Sequence, residues 1–492
     1  MKKALIYIAS AATLLSASCS SDLDTAPAGD KVSDEQLQEL IKTDADLVLQ
    51  PMMLGAVNYM HTGNRSGGTN DRGFMIWNLG MDMQGNDMVL CDLTNWFADE
   101  YMFENLRQQT ASYTADRWYC YYKIVFQANQ ILDLIPEDAE GRALVYKAQA
   151  LTYRALAYYY LMAVYQDDYL HGGKDKAGVP LYLTVEGAKG RTPSTEVFST
   201  ITEDLKTAVA LFGAAGYDPK QSTSDIDQTV ANMVLARVAV TTGDYATAAA
   251  AADAVITAGY SLMNEEQYTE SGFQSTALPE TVWGYTWADA TSLGNRSFAA
   301  FMSVIGSSYG GVLGNACYVA IDSRLYDQIP ATDYRKECFL DADLEVAPGK
   351  VIPKYANLKF ATQSFYQDEV YMRLAEAYLL KAEAEARGGN DAAAQQTLFD
   401  LVSKRDAAYA KSTKTGAGLL DEIFLQSRIE LWGEGHEFFT NKRFNVGVDR
   451  SSSANHTHKA VKPAGKEFTY QIPLSIELNS NPHINAGDQN PL

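Results

Sequence analysis

Residues 236–248, ARVAVTTGDYATA, and residues 382–394, AEAEARGGNDAAA, carry one pattern twice. Ala236, Gly243, Asp244, Ala246 and Ala248 correspond in order and spacing to Ala382, Gly389, Asn390, Ala392 and Ala394. Each stretch reads as a helix, a tight Gly-Asp or Gly-Asn turn and a second, alanine-rich helix, the form of a tetratricopeptide helical hairpin. Small residues at these points let the paired helices approach closely. Such hairpins stack to bury their apolar faces, so the pattern predicts a mainly α protein built as a helical superhelix.

Neighbouring segments extend the helical reading. Ser33 and Gln36 form a capping box that opens a helix running through Leu47. The stretch 61–73, HTGNRSGGTNDRG, is too rich in Gly and Asn for regular structure and reads as an exposed loop. Helical patterning resumes near Trp96 and is strong over 115–134, where Trp118, Tyr122, Val125, Asn129 and Leu132 recur at steps of three and four; Pro136 ends it. GRALVYKAQALTYRALAYYYLMAVYQDD is a further long helix. Thr192 and Pro193 are suited to N-cap and first helical residue of the next. Between the two hairpins, about 262–368, the pattern changes. ETVWGYTW alternates like a strand and SSYGGVLGNACYVAID is glycine-rich, which predicts a loop-rich, partly β insertion carried on the helices. Surface loops on a rigid scaffold are where binding usually resides.

The N-terminus has a different character. Lys2 and Lys3 precede an apolar run from Ala4 to Leu15 and the small residues Ser16, Ala17 and Ser18, the layout of a secretory signal peptide over 1–18. The run is too short to span a bilayer stably. A cysteine at this point is where lipoprotein signal peptidase cuts, so Cys19 is the predicted lipidation site. Residues 20–31, SSDLDTAPAGDK, read as a flexible tether. The expected organisation is signal peptide 1–18, lipidated Cys19 and tether over 19–32, and a single domain over 33–492.

Bulk composition narrows function. The 492 residues are 47% hydrophobic and 21% charged, which excludes disorder. The formal net charge is −21, and loss of Lys2 and Lys3 takes it to −23. That argues against nucleic acid and against binding anionic headgroups through a basic surface; a neutral ligand is easier to reconcile with it. Cys91, Cys120, Cys317 and Cys338 show no CxxC pair and no metal spacing with His. They read either as buried free thiols or as short-loop pairs, Cys91 with Cys120 and Cys317 with Cys338.

Chemical motifs are few. GSSYG, 306–310, matches the nucleophile-elbow pattern around Ser308, but no strand–turn–helix context surrounds it. DADLE, 341–345, lacks the glycine and terminal Glu of a calcium loop. His456 and His458 have no evident third metal ligand. No metal or cofactor is implied. Two aromatic groups are the better candidates. Asn95 and Trp96 follow Asp87 and Asp92, and Trp283, Tyr285 and Trp287 alternate so as to face one side of an extended segment. Trp283 is the one best explained by core packing. Arg72, Arg296, Tyr309 and Tyr318 lie in the same two regions. Flat aromatic faces with forked polar side chains suit a sugar, which makes Arg72, Asp87, Asn95, Trp96, Tyr285, Trp287, Arg296, Tyr309 and Tyr318 the candidate ligand-binding residues.

Taken in order, several motifs make the chain similar to the SusD/RagB family of Bacteroidetes outer-membrane lipoproteins. They are SASC with Asp22 and Asp24 after it, RWYCYYKIVFQANQIL, RALAYYYLMAVYQDD with GVPL at 178–181, RTPSTEVFSTITEDLKTAV, YMRLAEAYLLKAEAEARGGNDAAAQ, SRIELWGEGHEFFTNKRF and QIPLSIELNSNP with DQNPL at the end. The resemblance implies a tetratricopeptide-like scaffold, display at the cell surface and a SusC-like TonB-dependent transporter as partner. It also implies capture of nutrients, most often oligosaccharides, without cleavage, and their delivery to the transporter. A binding protein of the same fold for peptide or glycopeptide ligands is the alternative. Arg428, Glu430 and Glu434 of SRIELWGEGHEFF read as ion pairs between packed helices.

Overall fold

The computed structural model describes residues 32–492 apart from 66, 68–71, 105–106, 218–221, 271–272, 288–293 and 364–366. The predicted signal peptide, the predicted lipidation site Cys19 and the predicted tether up to residue 31 lie outside the described residues.

Twelve helices form the scaffold: α1 Asp34–Thr43, α2 Ala45–Thr62, α3 Phe74–Asp82, α4 Ser112–Leu134, α5 Arg142–Tyr165, α6 Ser194–Ala214, α7 Gln228–Thr242, α8 Tyr245–Ile256, α9 Leu374–Arg387, α10 Asp391–Val402, α11 Gly416–Glu430 and α12 Glu437–Arg443. From α4 to α8 each helix packs against the next in sequence, as stacked hairpins do. The architecture is the expected tetratricopeptide-like superhelix with a loop-rich, partly β insertion.

The two repeats are equivalent turns. Gly243 and Gly389 adopt φ of +82° and +81°, a left-handed conformation that favours glycine. Asp244 and Asn390 then cap the second helix through the backbone N–H of Thr247 and Ala393. Ala236, Ala248, Ala382 and Ala394 are fully buried where the helices meet, whereas Ala246 and Ala392 face solvent. Although residues 257–373 intervene, α9 packs directly along α8 and also touches α7. The second hairpin thus continues the stack begun by the first, and the insertion is looped out from between them.

Several boundaries differ from the sequence reading. The Ser33–Gln36 capping box forms, but the helix stops at Thr43 because Asp44 caps a new helix through Leu47 N. His61, expected in a loop, ends α2. Pro193 is the N-cap of α6, and Ser194 the first helical residue. Residues 74–82, FMIWNLGMD, form a helix whose every residue is buried, so no apolar stripe marked it.

Short antiparallel pairs fasten the insertion. They are β1 Met88–Leu90 with β3 Val319–Ile321, β2 Thr281–Tyr285 with β6 Glu369–Arg373, and a hairpin of β4 Leu344–Ala347 and β5 Lys350–Ile352. At its base lies a buried charge network. The Glu430 carboxylate, 0% exposed, accepts from Arg373 at 2.6 Å, Arg335 at 2.9 Å and Arg405 at 2.9 Å. Glu434 binds Arg373 at 2.6 Å and Lys359 at 2.5 Å, while Glu280 binds Arg373 at 2.9 Å and also Arg405. Asp333 pairs with Arg335 at 2.6 Å. Four cations therefore face four carboxylates, with the remaining donors satisfied by backbone carbonyls. Arg428 instead clamps Asp87 through two bonds. All three residues of the SRIELWGEGHEFF motif are ion-paired as expected, but their partners lie in loops, at a strand end and in the 3-10 turn Tyr334–Cys338 rather than on another packed α-helix.

Removing one partner of a buried pair costs about 3–5 kcal/mol because an uncompensated charge remains. Glu430→Leu strands three arginines, so it is expected to lower unfolding stability by at least about 3 kcal/mol in urea titration. The arginines hold the Glu430 carboxyl well below the usual carboxylate range. The wild-type contribution is therefore complete above the ordinary pKa of 4.5 and is lost as pH falls through the lowered value. The difference between wild type and Glu430→Leu should accordingly shrink only in strong acid.

Candidate ligand-binding face

The β1–β3 pairing places residues 92–97 against residues 309–318. Asp92 turns the chain by accepting from Thr94 N at 2.8 Å, and Asn95 continues the turn by accepting from Phe97 N at 3.0 Å. The Asn95 amide donates to the Cys317 carbonyl at 3.3 Å. This staple pushes Trp96 outward, where it is 37% exposed. Its ring stacks on Tyr309 with centroids 4.3 Å apart and planes at 29°, and it meets the edge of Phe301 at 5.7 Å. The Tyr309 hydroxyl accepts from Trp96 N at 2.9 Å and donates to Thr94 O at 3.2 Å. Burial raises its pKa, so the hydroxyl stays protonated and can fill both roles. Trp96 is thus a partly exposed indole on a rigid mount.

Four of the sequence candidates are inward supports. Asp87 is 1% exposed and held by Arg428. Asn95, 4% exposed, uses its amide within the turn. Tyr309 backs Trp96, and Tyr318 donates to Val351 O at 2.9 Å, tying β5 to the same region. Sequence could mark these polar residues as neighbours of Trp96 but not the direction in which they point.

A second aromatic group forms on β2 and β6. Trp283 is fully buried against Tyr371, and register shifts on either side of it break the even alternation expected from ETVWGYTW. Tyr285 and Trp287 converge on His61, a residue the sequence offered no reason to select. The Tyr285 and His61 rings stack at 3.6 Å and 9°, and Trp287 meets His61 edge-on at 4.4 Å. His61 Nδ1 lies 3.1 Å from the Glu369 carboxylate, which also accepts from Tyr371 at 3.3 Å. Glu369 stands opposite Tyr285 in the strand pairing, so both sides of the histidine are fixed by β2 and β6. Asp368 pins the Trp287 backbone N–H at 3.1 Å and also accepts from Thr276 N at 2.9 Å.

The two groups are joined through the insertion. Ser303, directly after the short helix Phe298–Met302 that carries Phe301, exchanges hydrogen bonds with the Thr362 backbone at 2.8 and 3.0 Å, six residues before Asp368. Arg72 and Arg296 are next to these groups along the backbone. Gly73, next to Arg72, donates to Gly63 O at 2.9 Å and packs against the His61 carbonyl. Arg296 precedes Ser297, the N-cap of that same short helix.

The other motifs are structural. Ser308 is buried in a run of turns within 3.5 Å of Ser303 O. His456 uses both ring nitrogens, toward Tyr101 at 2.6 Å and Asn86 O at 2.8 Å, and burial lowers its pKa to about 3. Among the described residues no group of three or more His, Cys, Asp or Glu could hold a metal, and no helix is long and apolar enough to cross a membrane.

A family model described as "Starch-binding associating with outer membrane" matches residues 37–240, and one described as "SusD family" matches 338–484. The chain belongs to the SusD/RagB family. Similar solved structures include a SusD-like carbohydrate binding protein from Bacteroides vulgatus ATCC 8482, 23% identical with a TM-score of 0.78 over 90% of this chain and 98% of that one. A SusD superfamily protein from Bacteroides thetaiotaomicron VPI-5482 is 20% identical with a TM-score of 0.73 over 92% and 99%. Surface glycan-binding protein A from Bacteroides thetaiotaomicron, in complex with laminarihexaose, is 17% identical with a TM-score of 0.68 over 90% and 99%. There is no match among curated proteins. At these identities the solved structures establish the fold. Within this SusD-like chain the two family models cover most of the scaffold helices, while residues 241–337, which hold Tyr285, Trp287, Arg296, Tyr309 and Tyr318, fall between them.

The same geometry settles the cysteines. Cys91, Cys120, Cys317 and Cys338 are all free. Strand pairing sets Cys91 beside Tyr318, whose carbonyl accepts from Cys91 N at 3.1 Å, so the short-loop pairings do not form. Burial pushes the Cys91 and Cys338 thiols up to about 12. Because only the thiolate reacts, a chain beginning at residue 20 should react slowly with a thiol reagent when native and yield four free thiols when denatured without reductant.

Proposed function

We propose that this SusD-like protein captures an oligosaccharide or polysaccharide at the cell surface and delivers it, uncleaved, to a SusC-like TonB-dependent transporter. The observation that carries the proposal is the solvent-facing ring of Trp96, fixed from behind by Tyr309 and Phe301. An exposed indole held rigid by its own backbone hydrogen bond offers apolar area against the CH face of a sugar at little ordering cost. Tyr285 and Trp287 form a second contact zone, braced by His61, with Arg72 and Arg296 at the margins. Asp87, Asn95, Tyr309 and Tyr318 act in this proposal by holding the platform rather than by touching the ligand.

Binding without catalysis agrees with the use of three buried acids near the aromatic groups and the charge network. Asp87, Glu369 and Glu430 are each engaged by internal cations or donors, which suits structure better than proton transfer. Cys19 carries the lipid in this proposal, and 19–32 is the tether that confines the domain beside its transporter, raising their effective concentration.

Calorimetric titration against a panel of polysaccharides tests the reading. For any glycan that binds, Trp96→Ala should weaken affinity about tenfold or more, equivalent to about 1.4 kcal/mol, while leaving the fold intact by circular dichroism. Trp287→Ala should have a smaller effect of the same sign. Binding unchanged in both variants would remove these residues from the site. Cys19→Ala should move a folded, ligand-competent protein from the membrane fraction to the soluble fraction and abolish its support of glycan uptake in cells; retention in the membrane would overturn the anchoring role.

A further inference from the structure

The chain is strongly acidic, and its arginines are almost wholly consumed internally. Among the described residues every arginine except Arg72 and Arg296 donates to a carboxylate, a side-chain oxygen or a backbone carbonyl. Arg72 and Arg296 have neither an ion pair nor a hydrogen bond to any described residue. Both are half-buried rather than extended into solvent, and the Nε of Arg72 is enclosed without a protein acceptor. Enclosing a guanidinium N–H without an acceptor is unfavourable. Arg72 precedes Gly73, which packs against the His61 carbonyl, and Arg296 closes the short turn before the helix that carries Phe301 under Trp96.

Of the described carboxylates in this region, three are already occupied. Asp368 serves Trp287 and Thr276, Glu369 serves His61 and Tyr371, and Asp87 serves Arg428. Asp92 is the exposed acid at the edge of the Trp96 turn, with one oxygen on Thr94 N. Among the described residues, then, neither guanidinium has an acidic partner, on a molecule of net charge −21. A guanidinium fork binds carboxylate or sulfate oxygens with two parallel bonds, and such charge-assisted bonds are roughly twice as strong as neutral ones.

We infer that the glycan taken by this face is acidic, bearing carboxylate or sulfate groups that Arg72 and Arg296 hold while Trp96 and Trp287 stack on the sugar rings. The inference rests on the glycan-binding reading and reverses the preference for a neutral ligand drawn from net charge alone. Net charge governs the far field, whereas contact is decided by the groups at the site.

Matched ligands test it, titrated calorimetrically into the folded chain from residue 20. Alginate is compared with its carboxyl-reduced form, chondroitin sulfate with its desulfated form, and laminarin and starch serve as neutral glycans. The expected result is that at least one charged member binds tenfold or more tighter than its matched derivative, the carboxylate and sulfate pairs reporting which anion is used. Binding of that member should weaken as salt rises. Arg72→Gln and Arg296→Gln should each remove most of the preference, Arg72→Lys should restore part of it, and Trp96→Ala should weaken the charged and derivatised members alike. Equal or tighter binding of neutral glycans, or a charge preference unmoved by both glutamine variants, overturns the acidic-ligand inference and leaves the glycan reading standing. Failure of wild type to bind any of these or a wider polysaccharide panel removes both.

Discussion

The carboxylate of Glu430 is the point on which the architecture depends. It ends α11, in the scaffold, yet its three guanidinium partners come from the insertion at Arg335, from the β6–α9 junction at Arg373 and from just past α10 at Arg405. Glu280 just before β2 and Lys359 in the insertion close the network. Desolvating so many charges is costly, and their mutual attraction offsets that cost only when every donor and acceptor is satisfied. A network of this kind therefore tolerates one arrangement of its parts. It converts a long excursion between two helical hairpins into a body with a fixed position on the superhelix.

The aromatic platforms inherit that rigidity through short links. β2 begins at Thr281, directly after Glu280, and ends at Tyr285 under His61. β6 runs from Glu369, which holds His61, to Arg373, which holds Glu430. Five residues thus separate the charge network from the second aromatic group, too few for independent motion. The Trp96 platform is tied in through β1 and β3 and through Asp87, whose clamp by Arg428 sits two residues from Glu430. In both places an exposed ring is backed by an interior polar contact.

The scaffold was legible in sequence because its signals are local. Helix, left-handed glycine and Asp or Asn cap fall within a few residues at 236–248 and 382–394, and the Ser33 capping box spans four positions. The errors have equally physical causes. α3 is buried all round and so shows no stripe, and Asp44 interrupts a pattern that periodicity alone would continue. The site was legible only as composition. Trp96 and Trp287 could be nominated, but whether Asp87, Asn95 and Tyr309 point outward depends on partners hundreds of residues away, and for Tyr318 on Val351 of the β4–β5 hairpin. His61 was invisible for the same reason, since its role arises from Tyr285 and Glu369.

This division explains where the chain can vary. The family models cover 37–240 and 338–484 and pass over 241–337, although Glu280 and Arg335 of the charge network lie in the unmatched part. Those two are anchors near either end of the stretch that carries Tyr285, Trp287, Arg296 and Tyr309. Provided the anchors keep their charges, the residues between them contribute little to holding the hairpins together, because the hairpins already pack directly through α8 and α9. Substitution of the exposed residues there changes what the face presents without loosening what the face is mounted on. A scaffold held by buried charge and helix packing, with its contact loops slung between fixed points, can alter its ligand while keeping its fold.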